Sequence, residues 1–497
     1  MTRPKTSTLL PRLPEKTVEL PTLHELHGKR LHFMGAGGIG VSAMMELARA
    51  RGAIVSGCNE NTGGQVAHLK AVGIPIEIGH DPKHIDDCDE LIYTPAIPDT
   101  HPEIMRAREL GKRVSVRMAM LGRLVRGTRA VCITGSHGKT TTTWMTSHLL
   151  IEAGLDPEVL LGGVVKSMGS NVRVSNGREE NRNVPFVLET DESDNRLTEI
   201  IPACPLVTNI DNDHLEHFGG MDQLQEALTR FLASAAQSND PRAALFGCGD
   251  DPRVLKALEE ASKRSNLPAF SYGFNSGVDI RARNIREYGM SSRFDIWWGQ
   301  FGVWRDVELP MPGRHNILNA LGAISIAWRM LASEESIRKA LSTCERVGRR
   351  FEIKGEVKGV RVVDDYGHHP TELRATMSAA ITTTPNRVGI LFQPHRYSRT
   401  HQLMDEFADC LAHCGAGAVF LLPVYAASEE PIAGADHEAL ATRVREFGHK
   451  NVIALKSIAD GVEQVACWAK NGDTVLVQGA GDVTKAAPAL VERLRSA

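Results

Sequence analysis

A glycine-bounded segment that ends in lysine and threonine is the first stretch of this sequence whose residue types suggest chemistry. It comprises residues 135–141, follows an apolar run at residues 130–134, and precedes a helical pattern that carries Trp144. Backbone N–H groups in such a loop and at a helix N-terminus bind phosphate oxygens. We therefore predict that the segment binds nucleotide phosphates, with Lys139 at the terminal phosphates and the Thr140 hydroxyl directed to Mg²⁺.

The loop departs from the strict phosphate-loop pattern at one position. That pattern requires glycine at position 133, where this chain has Ile133, so the match is to a shorter form with the order Gly-x-x-Gly-Lys-Thr. A strand-to-helix turn that binds no ligand is the alternative interpretation. The predicted phosphate-binding residues are Gly135, Ser136, His137, Gly138, Lys139, Thr140 and Thr141.

Acidic residues follow two other apolar runs of the central region. Residues 184–188 lead into a stretch that begins at Glu189, and residues 205–210 lead into a stretch that ends in His214. Ligands bind at the carboxyl ends of strands in open α/β sheets, so these side chains meet the phosphate loop if the strands are neighbours. A solvated acidic turn is the alternative. The predicted ligands of Mg²⁺ or Mn²⁺ are Thr140, Glu189 and His214, and the predicted catalytic residues are Lys139, Glu189 and His214.

A second glycine-rich loop lies near the start of the chain. It follows a strand pattern at residues 30–34, and its glycines are spaced Gly-x-Gly-x-x-Gly, as in loops that approach a pyrophosphate. After the next strand, however, Asn59 stands where a dinucleotide enzyme usually has an acidic residue for the ribose. This favours another nucleotide-type ligand over a dinucleotide. The glycines are Gly35, Gly37, Gly38 and Gly40.

Polar residues also cluster at the start of a helix and at strand ends in the last third of the chain. His315 and Asn316 lie where a helix begins, and they either cap it or face a purine. Asp365 follows a strand and is a candidate to accept hydrogen bonds from ribose hydroxyls. Arg396 and Arg399 are suited to a bidentate carboxylate clamp, with ordinary surface charges as the alternative.

Length and composition limit the class of protein. The chain has 497 residues, which suggests about three domains at ~150 residues each, and 42% hydrophobic and 24% charged residues are typical of a globular protein. The net charge of −3 provides no overall basic field, so nucleic acid and membrane surfaces are not expected as partners. Nine scattered cysteines without a C-x-x-C pair indicate reduced thiols, and we expect a cytoplasmic protein.

Alternating strand and helix patterns predict an α/β fold. Between residues 281 and 309 apolar and polar residues alternate, which is typical of antiparallel strands. We predict a flexible leader at residues 1–25 and three domains at residues 26–127, 128–345 and 346–497.

Taken together and in this order, the motifs resemble those of the Mur ligase family. The matching segments are residues 35–40, 135–141, 191–194, 209–214, 313–316, 349–351, 364–370 and 392–400. The resemblance implies an N-terminal Rossmann-like domain that holds a UDP sugar, a central P-loop ATPase-type sheet with extra antiparallel strands, and a C-terminal Rossmann-like domain that delivers an amino acid. It also implies ATP and Mg²⁺ as cofactors, with Mn²⁺ as an alternative metal.

The resemblance further implies a reaction and roles for individual residues. ATP phosphorylates the carboxylate of UDP-N-acetylmuramate, and the amine of L-alanine attacks the acyl phosphate to form an amide, in peptidoglycan precursor synthesis. The glycines of residues 35–40 are assigned to the UDP phosphates. By position, the other implied contacts are His315 and Asn316 with adenine, Arg350 with the ATP phosphates, Asp365 with the ribose, and His395, Arg396 and Arg399 with the amino acid.

The subtype depends on a missing lysine. Sister ligases that add later residues carry a lysine that becomes carbamylated, but residues 223–236 contain none, which is the pattern of alanine-adding members. Two segments depart from the family pattern, residues 56–59 and 195–197. L-Alanine, L-serine and glycine all remain open as the amino acid, and so do a monomer and a homodimer. An NAD(P) oxidoreductase and a non-enzymatic nucleotide-binding regulator are the alternative functions.

Overall fold

The fold was determined as a computed structural model that describes residues 23–94, 97–175, 184–191, 197–213, 218–299 and 302–496. These residues form an α/β structure with three sheets, which confirms the predicted fold class. Most of the predicted leader lies outside the described residues, and a 3-10 helix spans Leu23–Leu26. Among the described residues, no helix is long and apolar enough to cross a membrane.

The first sheet contains five parallel strands in the order β3-β2-β1-β4-β5, a Rossmann-like arrangement. Its strands are β1 (Arg30–Met34), β2 (Ile54–Asn59), β3 (Ile76–Ile78), β4 (Glu90–Tyr93) and β5 (Arg113–Val116). Its helices are α1 (Ile39–Ala50), α2 (Val66–Ala71), α3 (Pro102–Glu109) and α4 (Arg117–Val125).

The second sheet contains ten strands in the order β15-β14-β13-β12-β11-β10-β6-β9-β7-β8. They are β6 (Arg129–Thr134), β7 (Glu158–Val165), β8 (Ser170–Arg173), β9 (Pro185–Glu189), β10 (Cys204–Val207), β11 (Leu245–Cys248), β12 (Ala269–Gly273), β13 (Ile280–Tyr288), β14 (Ser291–Trp297) and β15 (Val303–Leu309). The helices in this part of the chain are α5 (Lys139–Glu152), α6 (Met221–Ala233), α7 (Pro252–Ser265), α8 (Arg314–Arg329) and α9 (Glu334–Ser342). Strands β7 and β8 pair antiparallel.

The third sheet contains six strands in the order β16-β17-β21-β18-β19-β20, with only β16 antiparallel to its neighbour. They are β16 (Glu352–Val357), β17 (Val360–Asp365), β18 (Val388–Phe392), β19 (Ala418–Leu421), β20 (Val452–Ala454) and β21 (Thr474–Gln478). The helices are α10 (Pro370–Thr383), α11 (Tyr397–Gln402), α12 (Met404–His413), α13 (His437–Glu446), α14 (Ile458–Trp468) and α15 (Ala486–Ser496).

Strand β6 shows why the central sequence folds in this way. All six of its residues are buried, since a parallel strand with neighbours on both sides and helices on its faces has no exposed surface. Helix α5 follows it and has four threonines directly after its first residue, Lys139, although threonine is a poor helix former. Threonine hydroxyls bond back along the helix: Thr143 Oγ1 donates to the carbonyl of Lys139 at 2.8 Å, and Thr146 Oγ1, one turn further, donates to that of Thr142 at 2.8 Å.

The chain divides into two compact units. The first comprises residues up to Arg283, together with Ile296–Trp304 and Leu318–Thr343. The second comprises Asn284–Asp295, Arg305–Ile317 and residues from Cys344 onward. The predicted boundaries after residues 127 and 345 stay predictions.

A buried ion pair joins the first two sheets within the first unit. The guanidinium of Arg51, directly after helix α1, donates to Glu158 Oε2 on strand β7 at 2.9 Å, and the two side chains are 2% and 4% exposed. The same guanidinium lies over the Phe186 ring, with its carbon 5.6 Å from the ring centroid. Removal of one partner from such a pair leaves an uncompensated buried charge.

We therefore expect Glu158→Gln to destabilise the protein by about 3–5 kcal/mol, because Arg51 would lose the charge of the Glu158 carboxylate at a site away from water. The matched control is Glu226→Gln, which breaks a 2.7 Å pair with Arg264 whose side chains are 45% and 42% exposed. The control should cost less than ~1 kcal/mol. Urea denaturation of the full-length variants measures both effects, and equal shifts would contradict a structural role for the buried pair.

Candidate active site

The phosphate loop connects strand β6 to helix α5, as the sequence predicts. Gly135 has φ +118° and Gly138 has φ +80°, values that L-residues with a side chain rarely adopt. A Cβ atom at Gly135 would lie 2.4 Å from Thr208 Oγ1, and one at Gly138 would lie 2.5 Å from Asn319 Oδ1. Glycine is therefore required at both ends of the loop, because neighbouring polar side chains approach its backbone closely.

The segment after strand β10 holds the loop in place. Asn209 Oδ1 accepts a hydrogen bond from the backbone N–H of His137 at 2.8 Å, and Asn209 Nδ2 donates to the carbonyl of the same residue at 2.9 Å. The His137 ring contacts Asp211 Oδ2 at 2.8 Å, and the backbone N–H of Asp211 donates to Ser136 Oγ at 2.9 Å. The loop thus depends on residues about 70 positions away in the chain.

Lys139 lies over the loop that precedes it. Its ammonium donates to the carbonyls of Gly135 at 2.7 Å and Ser136 at 3.2 Å. Thr140 and Thr141 are buried at the N-terminus of α5. The positive charge and the helix N-terminus therefore lie at the same end of the strand, which favours a bound anion there.

The first acidic strand end lies next to the phosphate loop. Strand β6 has β10 on one side and β9 on the other, and Glu189 at the end of β9 is paired with Ile133. Glu189 Oε2 accepts a hydrogen bond from the backbone N–H of Gly162 at 2.9 Å. A Cβ atom at Gly162 would lie 2.6–2.8 Å from that carboxylate. The carboxylate can therefore occupy this position only because residue 162 has no side chain. His214, the other predicted metal ligand, lies outside the described residues, as do residues 192–196.

A cavity of about 210 Å³ in the first unit extends from the end of the N-terminal glycine loop to the end of strand β9. Ile39 and Gly40 of the N-terminal glycine loop line it, and so do Glu189 and Asp191 after strand β9. The remaining lining residues come from helices α1 and α4 and strand β7, namely Met44, Arg117, Met118, Leu121, Leu160, Leu161 and Gly162. One concave site therefore has a glycine loop at one side and carboxylates at the other.

Asn59 holds the N-terminal glycine loop. Its Oδ1 accepts a hydrogen bond from the backbone N–H of Gly37 at 2.9 Å, and its Nδ2 donates to the carbonyl of Asn61 at 2.8 Å. Gly35 at the start of the loop has φ +76°. The residue at the expected ribose-binding position is thus bonded to the loop itself, which does not suit a dinucleotide site.

The predicted adenine and phosphate contacts of the second unit lie close together. Asn316 is buried and its Nδ2 donates to the carbonyl of Pro312 at 2.8 Å. Burial and, to a smaller extent, the Arg350 cation lower the pKa of His315 to about 4, although the Glu372 carboxylate opposes them. Arg350 lies over the Tyr366 ring, with its guanidinium carbon 5.2 Å from the ring centroid. His315 is therefore neutral at physiological pH.

Asp365 is buried, and its carboxylate organises the surrounding loops. Oδ2 accepts from the backbone N–H of Phe351 at 2.8 Å, and Oδ1 accepts from that of Gly367 at 2.8 Å and from Gln478 Nε2 at 3.1 Å. Burial raises the pKa of Asp365, while Arg350 and these backbone donors act in the opposite direction. Both carboxylate oxygens are thus engaged within the protein, and the predicted role at a ribose stays a prediction.

The predicted amino acid pocket follows strand β18. Arg396 Nε donates to Glu429 Oε1 at 2.6 Å, and Glu429 also accepts from the backbone N–H and hydroxyl of Ser398. Burial acts to raise the pKa of Glu429, but the hydrogen bonds from Ser398 and Arg396 outweigh it and the pKa is lowered. His395 stacks on Tyr425 with a centroid distance of 5.5 Å. Glu429 therefore orients Arg396, a role that the sequence does not reveal.

Family models match three successive parts of the chain. They are the Mur ligase family catalytic domain at residues 30–129, the Mur ligase middle domain at residues 133–327, and the Mur ligase glutamate ligase domain at residues 349–481. The UDP-N-acetylmuramate–L-alanine ligase of Allorhizobium ampelinum is 39% identical over 473 residues, which cover 94% of this chain and 97% of that protein. The chain belongs to the Mur ligase family.

Other members of the Mur ligase family are similar over the same length. The UDP-N-acetylmuramate–L-alanine ligase of Agrobacterium fabrum is 38% identical, with 94% of this chain and 97% of that protein covered. The crystal structure of the UDP-N-acetylmuramate-alanine ligase MurC from Thermotoga maritima has a TM-score of 0.76 and 26% identity, and covers 94% of this chain and 99% of its own.

Several residues of this Mur ligase site were not predicted from the sequence. Asn209 and Asp211 lie in a motif that was recognised, but their contacts with the loop follow only from the pairing of β6 with β10. Gly162 and Glu429 have no local pattern that distinguishes them, because each acts through a residue far away in the chain. Their roles are therefore visible only from the three-dimensional contacts and not from the local sequence.

The neutral His315 leads to a prediction about stability and pH. Since its folded pKa of about 4 lies below the ordinary value of 6.5, the unfolded chain takes up the proton first as the pH falls. The free energy of unfolding should therefore decrease from about pH 6.5 to about pH 4, by at most about 3 kcal/mol from this group. Urea denaturation of wild type and His315→Gln across that range measures the difference. A pH dependence identical in both proteins would contradict the assignment.

Proposed function

We propose that this chain is an ATP-dependent ligase that joins UDP-N-acetylmuramate to L-alanine through an acyl phosphate. The names of the similar Mur ligases support this substrate pair. The observation that carries the proposal is the shared cavity, because the N-terminal glycine loop and Glu189 line the same space beside the phosphate loop. We also propose that the reaction takes place in the cytoplasm, as part of peptidoglycan precursor synthesis.

The proposed sugar nucleotide would extend along the cavity. With the UDP phosphates at Gly35, Gly37, Gly38 and Gly40, the sugar would extend past Arg117 and Met118 toward Glu189. The substrate carboxylate would then lie at the end of β9, next to the strand that leads into the phosphate loop. Such positioning contributes to catalysis because it turns an encounter of two reactants into a step within one complex.

The residues of the phosphate loop have a clear task in this reaction. The substrate carboxylate oxygen attacks the γ-phosphorus of ATP, the bond to the β-phosphate oxygen breaks, and ADP leaves. Negative charge accumulates on the transferred phosphoryl group, and the ammonium of Lys139 together with the N-terminus of α5 would stabilise it. Lys139 must leave its carbonyl partners at residues 135 and 136 to reach a phosphate.

A divalent cation fits the oxygen donors near the loop. Thr140 supplies a hydroxyl and Glu189 a carboxylate, which are ligand types that Mg²⁺ and Mn²⁺ prefer, and His214 is the third proposed ligand. When bound, the cation would neutralise the phosphates and the carboxylate. The hydrogen bond from Gly162 holds one oxygen of Glu189 in a fixed direction, so the carboxylate is oriented before any ligand arrives.

The second half of the reaction forms the amide. The neutral amine of L-alanine attacks the acyl carbon, and a tetrahedral intermediate forms. Phosphate leaves as the carbon–oxygen bond breaks, and the nitrogen loses one proton to the leaving phosphate or to solvent. We assign the α-carboxylate of the amino acid to Arg396 and Arg399, with His395 in the same pocket. Glu429 holds the Nε side of Arg396, which limits the directions that the guanidinium can adopt.

The test of this function is ADP release by the purified full-length chain with ATP, Mg²⁺, UDP-N-acetylmuramate and L-alanine. Parallel reactions replace L-alanine with L-serine or glycine. We expect turnover that requires both the sugar nucleotide and the amine, with L-alanine the best amine. Lys139→Ala should lower kcat at least ~100-fold because the charge that stabilises the phosphoryl group is lost.

The outcomes separate the alternatives. ADP release that is independent of the amine and of the sugar nucleotide would indicate a nucleotide-binding regulator or an ordinary ATPase. Hydride transfer from NAD(P)H would favour an oxidoreductase, although Asn59 is bonded to the glycine loop rather than placed for a ribose. Near-normal kcat in Lys139→Ala would remove that lysine from the mechanism.

The close approach of the Glu189 carboxylate to Gly162 leads to a separate prediction. Gly162→Ala places a methyl group 2.6–2.8 Å from the carboxylate atoms, so the Glu189 side chain must move. We expect kcat to fall about 10- to 100-fold because a small displacement of a catalytic group is costly. Higher Mg²⁺ concentrations should restore part of the activity, since the metal would be held less tightly.

The matched control is Gly273→Ala. It places a methyl group 2.4–2.9 Å from the carboxylate of Asp250, which bonds backbone N–H groups of residues 274 and 275 outside the proposed site. Steady-state kinetics at several Mg²⁺ concentrations, with thermal denaturation to check folding, compare the two variants. An equal loss of kcat in both would mean that Gly162→Ala acts through folding rather than through Glu189.

A further inference from the structure

A second group of polar side chains, three buried and one partly buried, lies on one side of the first sheet, outside the proposed active site. It consists of His32, Cys58, His84 and Glu103, which we call the His-Cys-Glu cluster. The four residues come from four different elements: β1, β2, the 3-10 helix Pro82–Ile85 and α3. Each offers one ligand atom, and these atoms all lie within 4.8 Å of one another.

Strand pairing brings two of these side chains together. In the parallel pair β1 and β2, His32 lies opposite Ser56, and Met34 lies opposite Cys58. Because side chains two positions apart on a strand share a face, His32 and Cys58 point to the same side of the sheet. Apolar residues Ile85, Cys88, Leu91, Ile104 and Ala107 form the surrounding core, and the other polar side chains in contact with the cluster include Ser56 and His80.

Glu103 lies at the centre of the cluster. Its side chain is fully buried, and it contacts Cys58 Sγ at 3.3 Å through Oε2 and His84 Nδ1 at 2.8 Å through Oε1. His80 Nδ1 also lies 3.2 Å from Oε2. Among the described residues, no lysine or arginine forms an ion pair with this carboxylate. A buried carboxylate without a permanent cation is costly, and a metal ion would supply the missing charge.

His32 has a free ring nitrogen directed into this buried region. Its side chain is 2% exposed, Nδ1 is bonded to Ser56 Oγ at 2.9 Å, and Nε2 has no hydrogen-bond partner among the described residues. Burial lowers the pKa of His32 to about 4, opposed by Glu103, so the ring is neutral at physiological pH. A neutral imidazole with one nitrogen held by a hydroxyl and the other unbonded is the usual state of a metal-binding histidine.

We propose that His32, Cys58, His84 and Glu103 bind a structural Zn²⁺ ion. Two imidazoles, a thiolate and a carboxylate form a four-ligand set that suits tetrahedral zinc rather than the oxygen-only shells of Mg²⁺. Ligand atoms about 2.0–2.3 Å from zinc lie roughly 3.3–3.8 Å apart, so the cluster needs only a small adjustment to close around the ion.

Binding requires one proton to leave. Zn²⁺ displaces the proton of the Cys58 thiol, a sulfur–zinc bond forms, and the proton passes to solvent. Because the metal competes with this proton for the sulfur, the apparent affinity for the metal should increase with pH.

An ion bound at Cys58 would affect the N-terminal glycine loop, because Cys58 contacts the backbone of that loop. Its carbonyl accepts hydrogen bonds from the backbone N–H groups of Gly35 and Ala36, each at 3.0 Å. The next residue, Asn59, holds Gly37. A metal at Cys58 would thus fix the end of β2 from which the N-terminal glycine loop is held, and would tie β1, β2, α3 and the Pro82–Ile85 turn to one point.

The first test uses cobalt(II) alone as a probe of the full-length, chelator-treated chain. We expect one equivalent to bind at the His-Cys-Glu cluster, with the visible bands of tetrahedral cobalt and a near-ultraviolet charge-transfer band that needs a thiolate ligand. Cys58→Ser should remove the charge-transfer band and weaken binding at least about tenfold. The matched control is Cys88→Ser, which changes a buried cysteine of the same core outside the cluster and should keep the band.

The second test does not depend on any variant. Zinc X-ray absorption of the wild-type chain should show one sulfur at about 2.3 Å and nitrogen or oxygen at about 2.0–2.1 Å. Zn²⁺ should also raise the Tm of wild type but not of Cys58→Ser. The absence of a sulfur shell, or a charge-transfer band that persists in Cys58→Ser, would overturn the proposal. Cobalt at Thr140 and Glu189 has no thiolate ligand, so these spectra do not depend on ligase activity.

Discussion

Strand β6 runs parallel to β10 on one side and to β9 on the other, and the chemistry of the first unit depends on this pairing. The carboxyl ends of three parallel strands meet at one edge of the sheet, so the residues that follow them become neighbours without being close in sequence. Asn209 reaches the phosphate loop in this way, and Glu189 lies opposite Ile133, shortly before the loop begins. A shift of one residue in either pairing would turn each side chain to the opposite face of the sheet.

At this edge, glycine backbone permits close approach, and polar side chains bond to backbone N–H groups. Gly135 and Gly162 allow a polar side chain from a neighbouring strand to approach the main chain, and Asn209 and Glu189 bond the backbone N–H groups near them. The reactive groups are therefore held by hydrogen bonds that form when the sheet forms. Because these groups are already held in place, no free energy is needed to order them during the reaction.

The first sheet uses similar strand geometry for a different purpose. Its glycine loop lines the cavity beside α4, whereas the His-Cys-Glu cluster lies on a face covered by apolar side chains. Cys58 and the adjacent Asn59 connect these two features, because both residues bond the backbone of the glycine loop. One short segment at the end of β2 therefore contacts both the cluster and the proposed nucleotide site, so a shift of this segment would affect both.

Local sequence patterns determined most of the elements and the identities of the candidate residues. The phosphate loop, the acidic residues after β9 and the α/β class follow from glycine spacing and apolar runs, because these patterns act over a few positions. Only the tertiary structure decided which partners each residue meets: Gly162 for Glu189, Glu429 for Arg396, and three distant elements for Cys58. The sequence shows that the segment containing Cys58 departs from the family pattern, but it does not show which residues surround Cys58. Contacts between distant segments depend on strand order and register, and no single stretch of sequence carries that information.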